Sequence, residues 1–351
     1  MWILTLLLLI LILGIIILVH EFGHFICAKK AGVHIYEFSI GMGPLLKTFK
    51  GKDGIAYNLR AFPIGGFVSM AGEVYEDDDT KKIPKDKFMC NKKWWQRIII
   101  LGAGVFNNFL LALIILFVMA LIWGAPSLTP KVAEVLEGYP IASSGIQKGD
   151  VILSVNNHKI STWDQAQIRL VMKSDNNEYL LKVRHEDGST GEYKVKPAIT
   201  KNENGEEQKI FGLRIEQTTS KGFLASIKYS FAKFNSLINT MWLTVVNLFT
   251  GKISVSSLSG PVGIYHVVGE SMKVGIEQII YLIAFLSINV GLINILPIPA
   301  FDGGRIFFLI IEKIKGSPIN SKFENWCHTI FFFLLIALML YITVFDIIRF
   351  A

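Results

Sequence analysis

The sequence predicts a multi-pass α-helical membrane protein. It has about four transmembrane helices, a membrane-associated β-hairpin region and an inserted extracytoplasmic α+β domain. Three observations carry this. Of 351 residues, 52% are hydrophobic and 18% charged, a balance too apolar for an ordinary soluble chain. Four runs reach the roughly 20 apolar residues that a crossing needs. One long stretch, residues 126–219, breaks the pattern with short alternating segments separated by turn residues. The formal net charge is +7, but the basic residues flank apolar runs instead of forming a stripe. They are a topological signal, and no nucleic-acid partner is expected. Cys27, Cys90 and Cys327 form no C-x-x-C pair, and none lies in the soluble stretch, so no disulfide framework is expected.

The first span, residues 1–31, begins with an apolar run from Trp2 to Val19. It has no basic n-region and no A-x-A site, so it reads as a retained helix and not as a signal peptide. It continues through His20, Glu21, Phe22, Gly23 and His24 to close on Lys29 and Lys30. Residues four apart share a helix face. Two imidazoles one turn apart can bind one zinc ion, and the glutamate between them can act on the water which that ion activates. The bland alternative is a capped helix end with a salt bridge to Lys29 or Lys30. Against it, ionisable groups in a membrane-length helix are expensive and tend to be functional. The positive-inside rule puts the lysine end in the cytoplasm and the N-terminus outside.

Residues 32–97 are mixed and basic, as a cytoplasmic segment would be. Within them Tyr57 to Met70 reads YNLRAFPIGGFVSM. Strand formers on both sides of Pro63 and of the Gly65-Gly66 pair predict one or two β-hairpins, with a turn at the glycines. The stretch is too apolar for a solvated loop, so it is expected to dip into the membrane; a small soluble hairpin is the alternative. Asp77-Asp78-Asp79 reads as a solvated loop. Lys92-Lys93-Trp94-Trp95 reads as an interfacial anchor.

The second span is residues 98–123. Gly102, Ala103 and Gly104 would permit close approach of a neighbouring helix. Asn107 and Asn108 are polar at membrane depth, for packing or for chemistry. In the soluble insert, strands are expected at 131–136, 151–156, 179–185, 192–195 and 210–216, with turns at Gly188 and Gly205. A helix follows Ser161, which would cap it, with Asp164 three residues on. Residues 220–274 read as amphipathic helices on the outer membrane face, a transmembrane hairpin being the alternative.

The third span and its continuation, residues 275–304, end in NILPIPAFDGG. Pro297 and Pro299 must break the helix, and broken backbone at membrane depth survives only inside protein or beside a wet cavity. Asp302 follows. It is either a helix cap or the third ligand that a catalytic zinc usually requires. Arg305, Lys313, Lys315 and Lys322 mark a cytoplasmic loop, and residues 327–347 form the fourth span. In this topology His20, His24 and Asp302 lie on one side of the membrane.

Two resemblances follow from these motifs. Ala142 to Ile152, ASSGIQKGDVI, resembles the signature of PDZ domains of the bacterial-protease type, which implies a PDZ-like α+β fold binding an extended peptide or substrate tail by strand addition. Nearly the whole chain resembles the site-2 protease family of intramembrane zinc metalloproteases. That likeness rests on HEFGH at His20–His24, PIGGFVSMAGE at Pro63–Glu73, GAGVFNNF at Gly102–Phe109, SGPVGI at Ser259–Ile264 and NILPIPAFDGG at Asn294–Gly304. It implies a bacterial plasma-membrane enzyme that uses Zn2+ to cut transmembrane segments, such as those of anti-sigma factors or signal-peptide remnants, in regulated intramembrane proteolysis. Glu21 would be the base, with His20, His24 and Asp302 the ligands. Asn294, Asn108, Pro297, Pro299 and the hairpin residues Gly65, Gly66, Phe67 and Val68 would meet the substrate. The likeness has departures: Val105 stands where the family often has proline, and Phe301 where it often has leucine. A membrane-tethered PDZ scaffold or inactive relative would lack a ligand or the base. A transporter would show an internal repeat among its spans.

Overall fold

The computed structural model describes residues 2–73, 83–172, 175–201, 207–255 and 258–350. The acidic run Asp77–Asp79 and the turn expected at Gly205 lie outside them. In chain order the elements are α1 (Trp2–Lys30), β1 (Ile35–Lys50), β2 (Ala56–Met70), α2 (Trp94–Trp123), β3 (Ala125–Pro126), β4 (Val132–Val135), β5 (Val151–Val155), β6 (His158–Lys159), α3 (Trp163–Val171), β7 (Tyr179–Arg184), β8 (Thr190–Val195), β9 (Ala198–Lys201), β10 (Glu207–Ile210), β11 (Leu213–Ile215), β12 (Thr219–Ser220), α4 (Phe223–Phe249), α5 (Pro261–Val274), α6 (Ile276–Ile295), α7 (Asp302–Lys315) and α8 (Ser321–Phe350). Among the described residues, four helices are long and apolar enough to cross a membrane: α1, α2, α6 and α8. The chain divides into two compact units, residues 1–112 with 260–344, and residues 113–259 with 345–351.

In the first unit, α1 is the central post. Ile12 and Ile16 on one face are buried with Val268 of α5 and with Leu282 and Leu286 of α6. Lower on α1, Phe25 and Ala28 join Phe38 and Val68 of the strands, Ile100 of α2 and Leu309 of α7. Gly23 permits the α1–α2 crossing: a Cβ there would lie 2.3 Å from the Ala103 carbonyl oxygen.

The hairpin differs in detail from the sequence expectation. Tyr57–Met70 belongs to one strand, β2, of 15 residues, and its partner β1 has 16. Both strands bend, with Gly41, Gly43 and Gly65 at φ of 85°, 82° and 83°, a region that L side chains avoid. Glu37–Ile40 therefore faces both Ala56–Leu59 and Gly66–Ser69, while the turn between the strands falls at residues 51–55. The bend lies against α1, where a Cβ on Gly14 would be 2.7 Å from the Pro63 carbonyl oxygen. Gly14 is roughly 24 Å along the helix from Lys30 at 1.5 Å per residue. Met42, Leu45, Leu46, Phe62 and Ile64 remain exposed.

In the second unit, β6-β5-β7-β8 form a four-stranded antiparallel sheet, and β4 pairs with β11. Tyr179, Leu181, Val183, Ile152 and Val155 fill its core. Thr162, not Ser161, caps α3: its hydroxyl accepts from the Gln165 N–H, while the Ser161 N–H donates to the Gln165 side chain. Asp164 instead bonds Lys233 Nζ at 2.8 Å and accepts from Ser236 of α4. Residues 223–249 are a single helix.

Candidate active site

The two histidines project from α1 over Gly104 of α2. A Cβ on Gly104 would stand 2.4 Å from His24 Nε2 and 2.6 Å from His20 Nε2, so this glycine makes the space the imidazoles occupy. From the other side comes Asp302, the first residue of α7, preceded by Phe301 at the cap position. It is thus not the helix cap. Asp302 Oδ2 lies 2.9 Å from His20 Nε2 and 3.3 Å from His24 Nε2, and the two Nε2 atoms are 3.1 Å apart. Tetrahedral zinc with bonds of about 2.0–2.1 Å has ligand–ligand edges of roughly 3.3 Å. Two imidazole nitrogens and one carboxylate oxygen at these spacings fit the ion.

The outer contacts fix ring orientation. His24 Nδ1 lies 2.8 Å from the Ile100 carbonyl oxygen. With its proton given to that carbonyl, Nε2 keeps a free lone pair for a metal. His20 Nδ1 is 3.3 Å from the Asn108 side-chain amide, whose Oδ1 is buried without a partner. Turning that carboxamide brings Oδ1 to accept the His20 Nδ1 proton and frees His20 Nε2 in the same way. Asn108 is held from behind, where Ser287 of α6 donates to its backbone carbonyl at 2.9 Å. Asn107 serves packing, donating to the Val19 carbonyl at 3.1 Å.

Glu21 opens onto a cavity of about 140 Å3, shared with His24, Asp302, Val68, Met70 and Glu73. The Glu21 carboxylate makes no hydrogen bond among the described residues, so it is available to a ligand. Arg305, read from sequence as part of a loop, belongs to α7 one turn beyond Asp302, and it pairs with Glu73 at the cavity rim. Among the described residues, Gly66–Ser69 of β2 has its strand partners in β1 alone, while the Met70 carbonyl also accepts from the Glu73 N–H; the other edge of Gly66–Ser69 carries no strand beside this cavity. Of the expected substrate residues, Val68 lines the cavity and Asn108 touches His20. Asn294, Gly65, Gly66, Phe67, Pro297 and Pro299 are not among its lining residues.

Sequence reasoning missed His328. It lies on α8, lines the same cavity, and accepts the Ala300 N–H at Nδ1 over 2.8 Å. Ala300 has φ of 86°, a left-handed conformation that costs an L-residue about 1–2 kcal/mol. His328 thus braces the strained turn that delivers Asp302. No periodic signal marks a lone histidine in an apolar span.

Comparison with known proteins gives this geometry its context. The profile of Peptidase family M50 matches residues 8–338. The chain belongs to Peptidase family M50, the site-2 protease family. It is a zinc metalloprotease. A protein of Clostridium perfringens named as a zinc metalloprotease is 37% identical over 335 residues, covering 95% of each chain. The regulator of sigma-W protease RasP of Bacillus subtilis is 31% identical over 424 aligned positions, covering 99% of each. Because that alignment is longer than this M50 chain, RasP carries sequence with no counterpart here. A Staphylococcus aureus protein named as a zinc metalloprotease is 30% identical, with 99% of each covered.

Proposed function

We propose that this membrane metalloprotease cuts peptide bonds within transmembrane segments of membrane-protein substrates. In this reading His20, His24 and Asp302 hold zinc and Glu21 is the general base. The observation that carries it is the convergence of three ligand atoms within 4.8 Å of one another beside a cavity shared by Glu21 and an open strand edge. Zinc, when bound, supplies Lewis-acid polarisation of the attacking water and of the scissile carbonyl. Glu21 takes the proton of that water and passes it to the leaving amine. A transmembrane helix hides its peptide bonds, so the substrate unwinds locally. Its freed N–H and C=O groups need partners in a dry site, and the edge of Gly66–Ser69 offers them. Asn294 would hold the substrate strand, and Pro297 and Pro299 leave room beside it.

RasP is named for regulation of sigma-W. By that likeness the substrates are membrane proteins such as anti-sigma factors, or signal-peptide remnants, cut after their outer domains have been trimmed. Residues 126–219 are read as a PDZ-like module. A cavity of about 440 Å3 lined by Trp163, Leu170, Phe211 and Leu213 lies between α3 and β11, where an extended tail could add as a strand. The lysines closing α1 and α7 support a site that faces the cytoplasm, with both termini and the module outside.

The test compares two variants in metal content and in cleavage of a model transmembrane substrate. Glu21→Gln keeps its zinc and loses cleavage by about 100- to 10,000-fold, the usual range for a lost acid–base group. Asp302→Ala loses both zinc and cleavage. A Glu21→Gln protein cutting at the wild-type rate, or an Asp302→Ala protein with undiminished zinc affinity, contradicts the assignment.

A further inference from the structure

The second unit holds a further cavity besides the apolar groove beside α3 and β11. It is a polar hollow of about 540 Å3 whose lining includes the hairpin turn Asn156–Asn157, His158, Arg169 of α3, Lys194 of β8 and Lys252 just beyond α4. The turn is sharp, both asparagines having positive φ, 48° and 63°, as a two-residue hairpin loop requires.

Among the described residues its charges do not balance. Glu178, the one carboxylate among the described lining residues, lies 3.9 Å from Lys194. No carboxylate among the described residues pairs with Arg169 or Lys252. Arg169 is in addition half-buried, and its Nε is buried without a hydrogen-bond partner. Withdrawing a cation from water without a counter-charge is unfavourable, so a purely structural Arg169 would be expected to have an acid beside it. The two cations act on a common neighbour: burial, then Arg169 and Lys252, hold the His158 imidazole below its ordinary pKa.

We propose that this cavity binds a phosphate group, with Arg169 and Lys252 as its principal ligands. Phosphate suits the donor set. A guanidinium presents paired N–H groups to two phosphate oxygens, and a lysine adds a mobile point charge. The hollow is wide enough to take the group together with what it is esterified to. Free phosphate and the headgroup of an anionic phospholipid share this chemistry. The lipid source gains support from α4, which ends at the exposed Phe249 three residues before Lys252 and also exposes Phe231 and Trp242, side chains suited to a bilayer interface.

The experiment uses the full-length protein in a phosphate-free maltoside detergent, with isotope-labelled histidine. The His158 resonance is assigned by its loss in His158→Gln. One arm titrates inorganic phosphate, the second a short-chain phosphatidylglycerol, and the third the matching uncharged diacylglycerol. An anion beside the imidazole favours its protonated form, so the expected result is a saturable change with His158 titrating about one unit higher. Lys252→Gln, at an exposed position where folding is not at stake, weakens binding about tenfold, and Arg169→Gln weakens it further. Saturation by phosphatidylglycerol alone assigns the site to a lipid headgroup; saturation by both assigns it to phosphate generally. Absence of saturation with either anion overturns the proposal, as does Lys252→Gln binding both as tightly as the unmodified protein, or an equal response to the uncharged lipid.

Discussion

Gly104 shows how a residue without a side chain can shape a candidate metal site. Its missing Cβ is the space in which His20 and His24 meet, whereas a Cβ on Gly102, two residues earlier, would meet nothing within 4 Å. Gly104→Ala therefore pushes both imidazoles off their present positions. Zinc affinity measured by chelator competition is expected to fall about 10- to 100-fold, the range seen when groups supporting metal ligands are lost. Gly102→Ala is expected to leave it within a factor of two or so, apart from the small gain in helix propensity. Equal affinities in the two variants would refute the geometry. The sequence read Gly102, Ala103 and Gly104 together as a close-packing patch, and at that level it was legible. Which glycine faces α1 depends on the rotation of α2, which no local pattern records. The His20, Glu21 and His24 spacing was legible because one helical turn suffices to bring its parts together. His328 was not, because its partner is a backbone N–H 28 residues away in the chain.

At the scale of elements, the hairpin separates what composition reveals from what it hides. Strand-forming residues between Tyr57 and Met70 announced β-structure, and their apolarity announced burial or lipid. The glycine pair invited a turn, yet only Gly65 of the two bends, and the strand runs on through it, with ladder pairing resuming at Gly66. Gly66 serves close approach instead, since its Cβ would lie 2.6 Å from the Ser39 carbonyl oxygen. Long-range pairing of a bent strand with two stretches of one partner is invisible to a period-two reading. The element still makes a testable offer. In a variant with Cys27, Cys90 and Cys327 replaced, single cysteines along Phe67–Met70 are expected to form disulfides with cysteines along the substrate segment. Efficiency should alternate with a period of two, because successive side chains point to opposite faces of a strand. Efficient cleavage with no cross-link at any register would rule out strand addition at this edge.

At the scale of the molecule, chain order separates the residues assigned to chemistry from the insert. The groups assigned to catalysis come from α1, the first half of α2 and the turn into α7, while residues 126–219 enter between α2 and α4 and contribute no ligand or base. A module so attached can restrict which substrates reach the site without taking part in the reaction. Its internal construction favours such a role: Asp164 of α3 is bound to Lys233 and Ser236 of α4, so the α3 side of the apolar groove is fixed to the helix on which the module stands. Deleting residues 131–219 is therefore expected to leave zinc content unchanged and to preserve cleavage of a short transmembrane substrate within a few-fold. Substrates with an untrimmed outer domain, refused by the full chain, should now be cut. Mass spectrometry of the products from paired long and short substrates measures both effects. A deletion variant that folds and retains zinc, yet cuts neither substrate, would show that the insert is required for catalysis and does more than filter.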